Sequence, residues 1–140
     1  MPDLKSTRMK SLALGAISLL LTCHAALACY EDGDAPILTG VLSLVQPAIA
    51  ATSEFATAAS EPYYTLELEK PVCIKGEHSN RVAQGVRSVQ VFFVERAHEA
   101  AMQPKIGKRV SVTFLMVFEA YNSLHRRPMV GSIKTIRPAS

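Results

Sequence analysis

The sequence predicts a mainly β protein, a small OB-like barrel of five strands with one short helix between strands three and four. Three observations predict it. Beyond an apolar leader, the chain is a series of short β-branched and aromatic runs separated by turn residues. One window, residues 95–103 (ERAHEAAMQ), combines good helix formers with a following Pro104. At 140 residues there is room for one domain, and with no Trp and 6% aromatics its core must be aliphatic.

Each element follows from its own stretch. Residues 37–45 (ILTGVLSLV) form the first strand, with Gly40 expected as a bend or bulge and Pro47 as its stop. Residues 48–61 are rich in Ala, Ser and Thr, lack a sustained helical period, and read as a long loop. In 63–69 (YYTLELE), Tyr64, Leu66 and Leu68 share one face and Thr65, Glu67 and Glu69 the other. That alternation is a half-exposed strand, interrupted by Pro71 and continued by Val72-Cys73-Ile74. Residues 75–85 (KGEHSNRVAQG) are polar and turn-like, and 86–94, containing VQVFFV, is the third strand. After the helix, 105–108 is a turn and 109–118 (RVSVTFLMVF) a long apolar strand. A polar loop, 119–128, leads to the last strand, 129–136. Five strands with a helix after the third match the order of an OB-type Greek-key barrel.

The leader has its own logic. Lys5, Arg8 and Lys10 oppose one acid, Asp3; residues 12–21 are almost wholly apolar; Ala26-Leu27-Ala28 is a small-x-small site. A basic, then apolar, then small-residue pattern predicts a secretory signal peptide over 1–28 and a periplasmic or secreted domain over 29–140. A transmembrane anchor fits less well, because Gly15, Ser18, Thr22 and His24 break a run already short for a span. Residues 29–140 carry 12 Lys and Arg against 11 Asp and Glu, a net charge of +1. Within them, 29–80 hold eight acids and two bases, and 81–140 hold ten bases and three acids. The halves are expected to pack together and neutralise each other, and a nucleic-acid partner is not expected.

Cys23 leaves with the leader, so Cys29 and Cys73 remain. An even pair in an oxidising compartment predicts one disulfide. The alternative is a lipid anchor on Cys29, which follows the small residues of Ala26-Leu27-Ala28. The two exclude each other, because a lipidated Cys29 has no free thiol.

The segment Tyr63-Tyr64-Thr65-Leu66-Glu67-Leu68-Glu69-Lys70-Pro71-Val72-Cys73-Ile74 resembles the hallmark of bacterial exported proteins carrying the domain of unknown function 4431. Gly107-Lys108-Arg109-Val110-Ser111-Val112 is similar to that family's later G-K-x-V-x-V strand, and His125-Arg126-Arg127-Pro128-Met129-Val130 to its His-containing loop before P-V. The chain departs from the pattern at Thr113-Phe114, where the family tends to have Gly, and in the loop, where it is richer in His. The resemblance implies export and this fold, and implies no activity.

Chemistry-bearing motifs are sparse. His78, His98 and His125 fall in a turn, on the helix and in the last loop, and no pair has metal-site spacing. No Ser stands in G-x-S-x-G, and there is no P-loop or G-x-G-x-x-G. Cys73 lies mid-strand with an expected partner and does not suit a nucleophile. Glu31-Asp32-Gly33-Asp34 resembles a fragment of a calcium loop without its later Glu, and reads as an acidic tail. No catalysis, cofactor or metal is therefore expected. In an OB-type barrel the face of strands two and three, with the loops after strands one and four, forms the binding surface. That brings together Tyr63, Glu67 and the last loop, whose Tyr121, Asn122, His125, Arg126 and Arg127 suit contact. The two arginines suit an anionic partner, unless they neutralise acids such as Glu67 and Glu69. The expected function is an exported, non-catalytic binding module for a protein or an envelope glycan. An envelope inhibitor or immunity-type protein is the alternative, and a small hydrolase or nuclease a third reading.

Overall fold

A computed structural model describes residues 29–47, 61–122 and 124–140. The expected signal peptide and most of the loop expected at 48–61 lie outside the described residues.

Six strands and a short helix run in the order β1 (Tyr30–Glu31), β2 (Ile37–Val45), β3 (Tyr63–Lys75), β4 (Val82–Phe92), α1 (Arg96–Met102), β5 (Arg109–Glu119) and β6 (Met129–Pro138). β2 pairs antiparallel with β3 on one side and β5 on the other. β5 pairs antiparallel with β6, β6 runs parallel to β4, and β4 returns antiparallel to β3. That circuit closes a barrel of five strands, which leaves the long strands no free edge.

Several expectations need correction. The helix follows β4 rather than the third strand. The reason is β1, two residues lying parallel to the end of β3 outside the barrel circuit, too short to show any period. β4 begins at Val82, inside the stretch expected as a turn. Val82 and Ala83 pair with Lys75 and Ile74, so ladder bonding overrides the polar composition. The turn shrinks to residues 76–81 and holds Asn80 at φ 51°. Gly40 is neither bend nor bulge but stands in register between Leu68 and Val110. It must be glycine because a Cβ there would collide with the Glu67 carbonyl oxygen of β3. The irregularity lies in β3 itself, where the pairing with β4 skips from Glu67 to Val72. Pro71 falls in that gap, where its missing N–H breaks no ladder bond.

The barrel interior is mostly aliphatic, with Phe114 at its centre and Tyr64 also buried. Leu42, Leu66, Val89, Val112 and Phe114 have no exposed surface. Phe114 lies over Gly131, so that a Cβ at 131 would strike the ring and Val117. α1 adds Met102 to this core, fully buried. The helix ends in a 3₁₀ turn, Gln103–Lys105, which Pro104 opens rather than blocks. Lys105 Nζ donates to the Ala101 carbonyl at 3.0 Å, a cation at the helix C-terminus. Gln103 Nε2 donates to the Tyr64 hydroxyl at 2.5 Å, and burial pushes that phenol's pKa up. No helix among the described residues is long and apolar enough to cross a membrane.

The two charge halves meet where Arg109 grips Glu69 with two guanidinium nitrogens, one of them at 3.1 Å. Those hydrogen bonds hold the Glu69 carboxyl below its ordinary range. Cys29 and Cys73 stand at disulfide distance, with Cα atoms 4.6 Å apart and 44 positions of separation. Through that pair the chain preceding β1 is fastened to β3. Closing a loop of this length contributes about 4 kcal/mol in the chain-entropy model. Cys73→Ser should therefore lower the denaturation free energy by about 2–5 kcal/mol, measured by urea unfolding without reductant. Equal midpoints for variant and parent would contradict a bond between these two cysteines.

Candidate functional site

The β5–β6 loop is built from within by a buried amide. Gln90, in the apolar run of β4, is 3% exposed. Its Oε1 accepts the Arg126 N–H at 2.5 Å, and its Nε2 donates to the Leu124 carbonyl at 3.1 Å. A buried side-chain amide satisfied at both ends fixes the backbone on either side of His125. Directly across the ladder from Gln90 stands Thr65, expected on the exposed face and in fact fully buried. Thr65 thus shares a face with Gln90, to which the loop backbone is bonded, and the alternation of 63–69 fails there.

The loop also braces itself. Ala120 N–H donates to the Pro128 carbonyl at 3.0 Å, closing its base. Asn122 accepts twice, at its carbonyl from His125 N–H at 3.2 Å and at Oδ1 from Leu124 N–H at 2.9 Å. Tyr121 N–H donates to His125 Nδ1 at 3.1 Å. His125 packs against Phe92, Phe118 and Tyr121, with ring centroids 5.9, 5.5 and 4.7 Å away. Tyr121 in turn stacks on His78, at 5.8 Å and 22° between planes. Tyr121 and Leu124 nevertheless stay 65% and 51% exposed.

His78 reaches the loop because Asp32 ties its turn down. The Asp32 carboxylate accepts Glu77 N–H at 3.0 Å and Glu119 N–H at 2.8 Å, and is 15% exposed. His78 Nδ1 lies 3.9 Å from the same carboxylate. Asp34 accepts Glu31 N–H at 2.8 Å, and Gly33 and Asp34 exchange backbone bonds with Val117. Residues 31–34, expected as an acidic tail, are therefore a turn that fastens the start of the domain to β5. One carboxylate joins three segments distant in sequence.

The two arginines divide. Arg127 Nε donates to Ser88 Oγ at 3.0 Å, and Ser88 donates to Glu67 at 2.7 Å. The Arg127 guanidinium also lies 5.7 Å from the Tyr63 ring centroid, a cation–π arrangement. The structure thus brings Tyr63, Glu67 and the loop together, through a side chain employed in packing. Arg126 makes no ion pair among the described residues. Glu69 is held by Arg109 rather than by either loop arginine.

Two hollows flank the loop. One, of about 160 Å³, is lined by Tyr63, Gln90, Phe92, Leu124 and Arg126, with Glu61 and Pro62. The other, of about 430 Å³, is lined by Asp32, Gly33, Glu77, His78, Met116, Phe118 and Tyr121. Of the sequence-predicted residues, Tyr63 and Arg126 border the first and Tyr121 the second. Asn122, His125 and Arg127 hold the loop in shape. Sequence reasoning missed Gln90, Phe118 and Asp32. Gln90 did carry a signal, as the lone polar residue inside VQVFFV. Among the described residues, no three His, Cys, Asp or Glu side chains cluster to hold a metal ion.

No protein-family model matches the chain, and no curated protein matches it. The segments 63–74, 107–112 and 125–130 fall on β3, on the start of β5, and on the turn from the loop into β6.

Burial lowers the pKa of His125 below its ordinary 6.5. The unfolded chain then takes up a proton before the folded one does. Its contribution is fully present above the ordinary histidine range and is lost as pH falls below it. Thermal unfolding between pH 8 and pH 5 should show stability falling on acidification, with a shallower slope in His125→Phe. An identical slope in the two proteins would contradict this role for the imidazole.

Proposed function

We propose that the protein is an exported, non-catalytic binding module that engages a protein partner through the loop at residues 121–127 and the hollows beside it. The observation that carries the reading is the loop itself. Gln90, Asn122 and His125 brace its backbone, while Tyr121 and Leu124 remain exposed at its surface. A rigid loop loses little entropy on binding, and exposed aromatic and aliphatic side chains are the usual anchors of protein contacts. Two titratable groups nearby, Asp32 and His125, are engaged in holding structure, which suits presentation rather than proton transfer. Asp32 accepts two backbone N–H groups and His125 accepts one.

An OB-type assignment is supported by the pairing pattern. Among the five barrel strands, the first long strand pairs with the second and fourth, and the third runs parallel to the fifth. On that assignment the loop follows the fourth barrel strand, a position OB-type barrels use for binding. Export to the periplasm or beyond is supported by the leader and the cysteine pair. The chain's motifs resemble those of the domain of unknown function 4431 family. An inhibitor that plugs the cleft of an envelope hydrolase is the second reading, favoured by the same braced loop with Tyr121 and Leu124 exposed.

Affinity capture from an envelope extract tests the proposal when paired with thermal melting. Leu124→Ser combined with Arg126→Ala should reduce the recovered partner at least tenfold and leave the melting temperature nearly unchanged. Arg127→Ala should instead lower the melting temperature, through loss of the Ser88 bond. Undiminished recovery with the double variant would contradict a binding role for the loop.

A further inference from the structure

We infer that the larger hollow beside the loop is a receptor for a basic side chain of the partner, an arginine or lysine whose stem packs on Met116, Phe118 and Tyr121 and whose charged head reaches the Asp32 and Glu77 carboxylates beside His78. This rests on the reading of the loop as a binding element and adds the chemistry of what it binds.

The hollow has two unlike walls. Phe118 and Tyr121 form an apolar wall with Met116, which is 42% exposed. The Tyr121 ring is held by contacts with His78, Phe118 and His125, so it is oriented before any ligand arrives. The polar lining is Asp32, Glu77 and His78, whose ring stacks on Tyr121 and whose Nδ1 lies 3.9 Å from the Asp32 carboxylate. Asp32 gives one acceptor site from each oxygen to backbone N–H groups, and a carboxylate has about four, so it can accept a further donor. Glu77 is bound to Asp32 through its backbone and keeps its own carboxylate at the surface.

An aromatic and aliphatic lining beside two carboxylates selects a cation with an apolar stem. The ring quadrupole attracts the charge, the carboxylates accept its N–H groups, and the methylenes lie along Met116 and Phe118. No Lys or Arg lines this hollow, whereas Arg126 lines the smaller one on the far side of the loop.

The test uses short peptides as probes, followed by NMR of the Tyr121, His78 and Phe118 ring signals. Tetra-arginine or tetra-lysine should shift these signals saturably, with the shifts weakening as salt is raised. Glu77→Gln and Tyr121→Phe should be compared with Tyr121→Ala. The alanine and glutamine variants should weaken binding at least fivefold, while phenylalanine, which keeps the ring face, should retain it. Tetra-glutamate should leave the three rings unmoved. Absence of ring shifts with either basic peptide, equal shifts with tetra-glutamate, or full affinity in Tyr121→Ala would overturn the inference. Partner capture separates this from the binding-module reading. If Leu124→Ser with Arg126→Ala abolishes capture but basic peptides leave the rings unmoved, the module stands and the cation receptor falls.

Discussion

The Asp32 carboxylate is the constraint on which the functional end of this molecule depends. Its two oxygens take backbone N–H groups from the β3–β4 turn and from the end of β5, segments 45 and 87 residues away. Charge-assisted bonds of this kind are stronger than neutral ones, and a shielded site screens them less. By fixing Glu77 they deliver His78 to Tyr121, and by fixing Glu119 they set where β5 ends and the loop begins. The cysteine pair holds the same N-terminal stretch from its other end, at Cys29. β1 lies between Cys29 and the Asp32 turn.

A second constraint, internal to the barrel wall, supports the first. Gln90 replaces an apolar residue in the middle of β4, and burying an amide costs stability unless both of its ends are bonded. Leu124 and Arg126 supply those bonds from the loop backbone. The loop thus becomes an extension of the sheet rather than a free connection.

Legibility in the sequence followed the length scale of the interaction. The long strands were readable because β-branched and aromatic runs declare themselves over seven or more residues, and the helix because Ala97, Glu99, Ala100 and Ala101 precede Pro104. Gly40 was visible as a special position, but its cause was not. Close approach of the Glu67 carbonyl is a fact about β3, not about the residues beside Gly40. The start of β4 was hidden for the same reason, since Val82 and Ala83 become strand only through pairing with Lys75 and Ile74. Arg126 and Arg127 are indistinguishable in sequence, yet one packs on Ser88 and Tyr63 while the other borders a hollow. Asp32 looked like an acidic tail because its partners lie far along the chain.

The account makes the loop a preformed contact surface whose shape is set by one carboxylate at a distance. Amide hydrogen exchange at Glu77 and Glu119, in the parent and in Asp32→Ala, tests this most directly. The account predicts slow exchange at both amides in the parent. In the variant exchange should be fast at both, with loss of the His78–Tyr121 ring contact and unchanged protection in the central β2, β5 and β6 ladder. Fast exchange at Glu77 and Glu119 in the parent, or a His78–Tyr121 contact that survives the loss of Asp32, would contradict it.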